Sequence, residues 1–303
     1  MAFLPFFSSI VFVHFISQFH VQIQTMFNEN DSHGSVLRFH ASEIGLDLCN
    51  KNSKSNSSWA TGHCIVVVHN NDRSFLTHRG CMEHFEPSVI DVKAMKNRAK
   101  QRHHHIHIAG YYNLTHLWNG SLKQALVEMS TPTTTVSLVP QYDATHEWDG
   151  GLLDLLPLID VLFVSQGEAA GITKYPVVSQ EDNNSLIQHA SMIFARASPD
   201  TLIVLTLGSK GAVAIRNGQV LARQSAATLA GPVLDPTGAG DAFTAGFLAS
   251  LMLQKSQNPN LDCEFDSRKA LKLGCALGAA CVMKKGASTS LSMQEIQDCL
   301  ETL

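Results

Sequence analysis

The sequence predicts an α/β fold, with a largely parallel sheet covered by helices on both faces. Three observations carry that expectation. From about residue 104 onward, β-rich stretches alternate with helical stretches and turn residues fall between them, the pattern of repeated strand–helix units. A chain of 303 residues that is 45% hydrophobic can bury the core such a fold needs. The run from Asp235 to Leu248 opens an apolar, Ala-rich helix with a turn of small residues, an arrangement suited to an anion.

The length allows one large domain or two smaller ones. A formal charge of −4 argues against nucleic acid as the main partner, since binding a phosphate backbone needs a basic face. The longest basic run, Lys96 to Arg102, reads as a solvated helix end. Seven cysteines (Cys49, Cys64, Cys81, Cys263, Cys275, Cys281 and Cys299) cannot all pair internally, and none has C-x-x-C spacing, so reduced and mostly buried thiols are expected. Sequons begin at Asn56, Asn113, Asn119 and Asn183 and would matter only in a secreted chain.

Along the chain, Met1 to Val21 is apolar and aromatic with no Lys or Arg. A signal peptide would carry a basic n-region and a small-residue cleavage site, and a membrane span would hold fewer histidines. A targeting or anchoring segment and a replaced N-terminus both stay open, and the segment is expected to pack poorly or to project as an isolated helix. His63 to His69 and Arg73 to Thr77 read as a hairpin around Asn70-Asn71-Asp72. Strands are expected at His104–Ala109, Thr134–Val139, Val161–Val164 and Leu202–Thr206, and a hairpin through Asn217-Gly218. Helices are expected at Leu122–Met129, Leu152–Leu156, Asn184–Ala197, from the small-residue turn to about Leu253, and from about Ser267 to Lys284. His103, His105 and His107 share one face of a strand with no carboxylate or Cys beside them, which favours a strand entrance over a metal site.

The chemistry concentrates at Asp235-Pro-Thr-Gly-Ala-Gly-Asp241. Small residues from Thr237 to Gly240 let backbone N–H groups converge where the following helix presents its positive end. Like charges repel, so Asp241 at the mouth of such a pocket is not there to bind the anion. It is placed to take a proton from a hydroxyl that attacks a phosphorus held in the pocket.

All fourteen residues from Asp235 to Leu248 resemble the second signature of the ribokinase-like (PfkB-type) carbohydrate kinases. The resemblance implies a three-layer α/β sandwich with a mostly parallel central sheet and a small, incomplete β lid at about residues 60–80. It implies Asp241 as the catalytic base and the N–H groups of Gly238, Ala239, Gly240 and Asp241 as the hole for the developing charge. Thr206-Leu-Gly208-Ser209-Lys-Gly211 resembles the ATP-contacting T-x-G-x-x-G, and Cys275 is implied near adenine. Glu168, three residues after Ser165, resembles the Glu of N-x-x-E that organises magnesium; Ser165 stands where the family has Asn, and a plain helix-start Glu is the alternative. Asp235, Thr237, Lys284, Gly286 and Ser290 resemble the monovalent-cation (K⁺) site. An Arg follows the lid turn at Arg73, where a solvated surface role is equally open.

The family's opening strand and Gly-Gly…Asn sugar motif have no counterpart before Thr61. Residues 1–40 therefore read as an atypical N-terminus outside the family fold, with the kinase domain at 41–303. The resemblance implies a cytoplasmic ATP- and Mg²⁺-dependent kinase acting on a hydroxyl of a small sugar, with no nucleic-acid or membrane partner and a homodimer formed through the lid. A nucleoside kinase and a catalytically impaired nucleotide-binding variant are the alternatives.

Overall fold

In the computed structural model the described residues are 21–52, 58–69, 72–99, 104–175, 183–257, 265–286 and 290–303. Strands β5 (His104–Ala109), β6 (Thr134–Val139), β7 (Val161–Ser165), β8 (Leu202–Thr206), β9 (Ala212–Arg216) and β10 (Gln219–Gln224) form one sheet in the order β10-β9-β8-β7-β6-β5. The pairs from β5 to β8 are parallel and the last two are antiparallel. Parallel neighbours need crossovers, and helices lie in the three connections: α3 (Ser121–Met129), α4 (Leu152–Leu155), then α5 (Gln166–Ile172) with α6 (Asn183–Ala197). Asn217 and Gly218 both have positive φ, 49° and 71°, so β9 and β10 close as the hairpin this dipeptide favours.

Alternation along the central strands sorts the core into two layers. Leu162, Val164, Ile203 and Leu205 pack with Leu126, Met129 and Phe194 of α3 and α6. On the opposite face, Val161, Phe163, Leu202 and Val204 pack against α7 (Ala239–Gln257) and α8 (Ser267–Val282) through Phe247, Leu251 and Leu271. The three-layer sandwich is therefore present. Helices α7 and α8 touch closely: a Cβ at Gly246 would lie 2.8 Å from the Leu273 carbonyl oxygen. α9 (Met293–Glu301) packs on α8.

The lid is the antiparallel hairpin β3 (His63–His69) and β4 (Asp72–His78), in register from His63 opposite His78 to His69 opposite Asp72. Ile65, Val67, Phe75 and Leu76 are all exposed on it. Upstream, β1 (Gln22–Thr25) pairs in parallel with β2 (Asp47–Asn50) around α1 (Ser32–Glu43), and α2 (Val92–Ala99) lies between the lid and β5 in the chain. The folded chain thus extends to Val21, upstream of the boundary at residue 41 read from the sequence, and Met26 joins the main core. Asp31 caps α1 by accepting from Gly34 N at 2.7 Å, and it also accepts from Thr61 N and Oγ1 at 2.7 and 2.8 Å. This ties the unit to the root of the lid. Burial pushes the Asp31 carboxyl up, but the bonds from Thr61 and Gly34 outweigh it and hold the group below its ordinary value. The apolar stretch 1–20 lies outside the described residues, as do Asn70, Asn71, His103 and the side chain of Arg73.

Candidate active site

Strands β5 to β8 end at one edge of the sheet, where α/β proteins place their ligands. Four loops leave that edge: Gly110–Asn113 after β5, Gln141–Asp149 after β6, Ser165–Glu168 after β7 and Leu207–Gly211 after β8.

The turn before α7 is held from both sides. Asp235 accepts from Thr237 N at 2.9 Å and from Gly286 N at 3.0 Å, and Leu234 N donates to Val282 O at 2.8 Å. Gly238 has φ +84°, a left-handed value that suits glycine, and its carbonyl accepts from Ala242 N at 2.8 Å. Ala239 N is turned back onto Pro236 O at 3.3 Å, so this one of the four expected amides is partly spent. Gly240 and Asp241 sit in the first turn of α7, where N–H groups lack intrahelical acceptors. A Cβ at Gly240 would meet nothing within 4 Å, so the cradle is open on that side.

The Asp241 carboxyl is pushed up to about 7, by burial first and by the Glu168 charge second. Glu168 is raised as well, chiefly by burial, against bonds from Ser165 that lower it. Glu168 offers hard oxygen donors, and Mg²⁺ is commonly held by one or two carboxylates together with phosphate oxygens. The residues present fit that ion. Among the described residues no three His, Cys, Asp or Glu side chains form a metal-ligand cluster. The helix-start reading of Glu168 is realised too: Ser165 N donates to Glu168 Oε2 at 2.7 Å and Glu168 N donates to Ser165 Oγ at 3.3 Å, a capping box. Ser165, where the family has Asn, serves as this cap.

After β8, Thr206 leads into a tight turn in which Leu207 N donates to Gly211 O at 2.8 Å and Gly211 N donates to Gly208 O at 3.0 Å, with Ser209 between. Gly208 has φ +59° and open space at its Cβ position, which lets a phosphate or ribose approach the backbone. Gly211 has φ +92° and is needed for another reason, since a Cβ there would lie 2.0 Å from Gln224 O. Lys284 pairs with Glu295 at 2.8 Å and donates to Ser290 O at 2.7 Å, holding the Glu295 carboxyl down at about 2. Cys275 is packed in the α7–α8 core with Phe243 and Phe247, 6% exposed, and burial pushes its thiol up to about 12. His105 and His107 behave as strand residues: they bond Thr135 Oγ1 and Ser137 Oγ at 2.7 Å, and burial holds them down at about 3 and about 4.

The sequence reading assigns no residue to the space beneath the lid hairpin. A cavity of about 60 Å³ lies between the lid and the ends of β5 and β6, walled by Met26, Leu37, His63, His78, Asn113 and Gln141 among others. None of Gly238 to Asp241 lines it. Link by link, the cavity reaches the end of β6, β7 beside it leads into α5 and Glu168, and the Glu168 charge acts on Asp241. Asn113, read only as a sequon, is a half-buried wall residue of this cavity.

The model of the pfkB family carbohydrate kinases matches residues 30–294. The chain belongs to that family. Similar proteins include a ribokinase of Haemophilus influenzae, 34% identical over 149 residues that cover 49% of this chain and 43% of that protein. A fructoselysine 6-kinase of Escherichia coli is 24% identical over 84% of this chain and 78% of its own. An adenosine kinase of Schizophyllum commune is 22% identical over 67% and 60%. The first match thus spans under half of its relative. Among solved structures, ribokinase from Giardia lamblia superposes with a TM-score of 0.74 at 19% identity, covering 97% of this chain and 86% of that one. A Vibrio cholerae fructokinase bound to fructose, ADP and calcium gives 0.72 at 19%, covering 99% and 91%. These likenesses establish the fold of this pfkB-family chain. Among the described residues no helix is long and apolar enough to cross a membrane.

Proposed function

We propose that this pfkB-family chain transfers the γ-phosphoryl group of ATP to a hydroxyl of a small sugar held in the cavity under the lid. The observation that carries the reading is the turn at the start of α7, held by Asp235 on Thr237 N and Gly286 N and open at Gly240, with Asp241 in the first helical turn, where burial and the Glu168 charge raise its carboxyl to about 7. A carboxylate with that affinity for protons is a better base than an ordinary Asp and is still ionised in a large share of molecules at neutral pH. In the proposed step the acceptor hydroxyl oxygen bonds to the γ-phosphorus, the bond from that phosphorus to the ADP oxygen breaks, and the hydroxyl proton passes to Asp241. The N–H groups of Gly238, Gly240 and Asp241 face the oxygens that gain charge. Mg²⁺, held by Glu168 together with phosphate oxygens, would neutralise phosphate charge when bound. The Thr206–Gly211 turn, through Gly208 and Ser209, receives the nucleotide.

The cavity also supports a nucleoside acceptor, because its wall is largely apolar (Met26, Leu37, Met82, Leu114) and includes His63, whose ring stacks on His33 at 4.6 Å. The test is ATP-dependent phosphorylation with D-ribose, D-fructose, fructoselysine and adenosine. Turnover of one of them is expected, and ATP binding with no acceptor turned over would leave the impaired nucleotide-binding variant as the better reading. In the same proposal K⁺ sits where Asp235 bridges Thr237 and Gly286, competing with the Lys284 ammonium for Ser290 O. The apolar residues on the lid hairpin pair with a second copy, and the enzyme works in the cytoplasm.

A further inference from the structure

We infer that Asn113 and Gln141 form the hydroxyl-reading element of the acceptor cavity, an amide pair that recognises two neighbouring hydroxyls of the substrate. The inference rests on the proposed function, which places the acceptor in this cavity.

Asn113 Nδ2 donates to Gln141 Oε1 at 2.8 Å, and both side chains line the cavity. A carboxamide offers one acceptor oxygen and one NH₂ donor. Once one donor and one acceptor are joined across the pair, the oxygen of one amide and the NH₂ of the other are left. This holds for either assignment of the amide atoms, because flipping both groups only exchanges which residue supplies which. Two adjacent hydroxyls, one donating and one accepting, complement that remainder. A single amide or an unjoined pair would not fix its orientation.

The backbone is shaped around this contact in three places. Gln141 has φ +61°, a left-handed value uncommon for a residue other than Gly, Asn or Asp. Asn would hold that backbone more easily, but its side chain is one methylene shorter and would not reach Asn113. Gly110 has φ +75°, and a Cβ there would lie 2.8 Å from Gln141 Oε1, so a side chain at 110 would displace the amide. The two loops are also joined by backbone: Gly110 N donates to Val139 O at 2.9 Å and Tyr112 N donates to Pro140 O at 3.0 Å. Just beyond, the fully buried Asp143 accepts from Thr145 N and Trp148 N at 2.9 and 2.7 Å and fixes the rest of the loop. Strain kept at a cavity wall for the sake of one side chain's length is the mark of a binding element. Gln141 follows β6, and β6 pairs in parallel with β7, whose end leads into α5 and Glu168.

The decisive variant is Gln141→Asn, which suits the left-handed backbone yet breaks the amide contact; Asn113→Ala removes the other partner. The acceptor is whichever of D-ribose, D-fructose and adenosine is phosphorylated fastest, together with its monodeoxy analogues. Expected for both variants is an acceptor KM raised about 10–100-fold, with kcat and the KM for ATP changed by less than about threefold. Gln141→Asn should melt no lower than wild type. In the wild type, removing either of two adjacent hydroxyls should raise KM, and in Gln141→Asn at least one of those penalties should vanish. An acceptor KM within about twofold of wild type in both variants would overturn the inference while leaving the kinase reading intact. If none of the three probes is phosphorylated, calorimetric titration with the same probes decides: equal affinity for wild type and Gln141→Asn overturns the inference alone. ATP binding with no affinity for any probe overturns the sugar reading and this inference together.

Discussion

The turn that begins α7 and the lid-side wall of the cavity serve the same strand edge but are held in different ways. The turn is gripped by backbone and by the core: Asp235 spans two amides, Gly246 brings α8 against α7, and Phe243 and Phe247 lock the helix onto the sheet. The cavity wall depends on a few polar contacts between segments far apart in sequence, Asp31 to Thr61 and Asn113 to Gln141, and the hairpin above it exposes apolar side chains such as Leu76. Phosphoryl transfer asks every enzyme of this kind for the same rigid cradle. Substrate choice asks for surfaces that can change one side chain at a time.

Breaking each side in turn sharpens the contrast. Gly211→Ala should have the largest effect on the fold, because the new Cβ would press on Gln224 O and φ +92° would be strained. A loss on the order of 3 kcal/mol is expected, read as a lower denaturation midpoint with an unchanged slope. Asp31→Ala removes a helix cap and both bonds to Thr61. It should cost about 1–2 kcal/mol and raise the acceptor KM, with the dissociation constant for ATP unchanged by calorimetry. Cys275→Ala should have the smallest effect: about 1 kcal/mol of stability for the lost sulfur, and ATP affinity within about twofold of wild type, since the thiol points into the core. A large loss of ATP affinity there would place adenine against α8, as the resemblance implies.

These differences also decide what could be read from the sequence. The turn into α7 was legible at Thr237 to Asp241 because small residues there, followed by an apolar Ala-rich run, mark a tight turn that opens a buried helix. The sheet was legible too, with β5, β6 and β8 falling on the expected residues, β8 most plainly because a buried parallel strand reads as a near-continuous apolar run, Leu202 to Leu205. Asn113 and Gln141 were not legible. They stand 28 residues apart with no spacing rule to link them, and only the sheet register and Gly110 bring their amides together. The unit from Gln22 to Asn50 was missed for a related reason: its strands are four residues long, and its anchor, Asp31 on Thr61, crosses 30 residues.

The central claim is that Asp241 takes the hydroxyl proton, and its pH dependence tests that most directly. Its carboxyl in the folded chain lies above its ordinary value of 3.8, at about 7. Between about pH 4 and 7 the native state therefore keeps a proton that the unfolded chain has released, so this group's contribution to stability falls as pH rises through that window, by about 1.4 kcal/mol for each unit of displacement. The base form appears as pH rises through about 7, so turnover should climb with pH up to that point and then level. The measurement is acceptor-dependent ADP release from pH 5 to 9, with thermal melts over the same range, on wild type and Asp241→Asn. The account predicts a variant slower by about 10²–10⁴-fold that binds ATP normally, melts higher than wild type above pH 7 and has lost that pH slope. Equal turnover in the two proteins, with parallel melting curves, would contradict it.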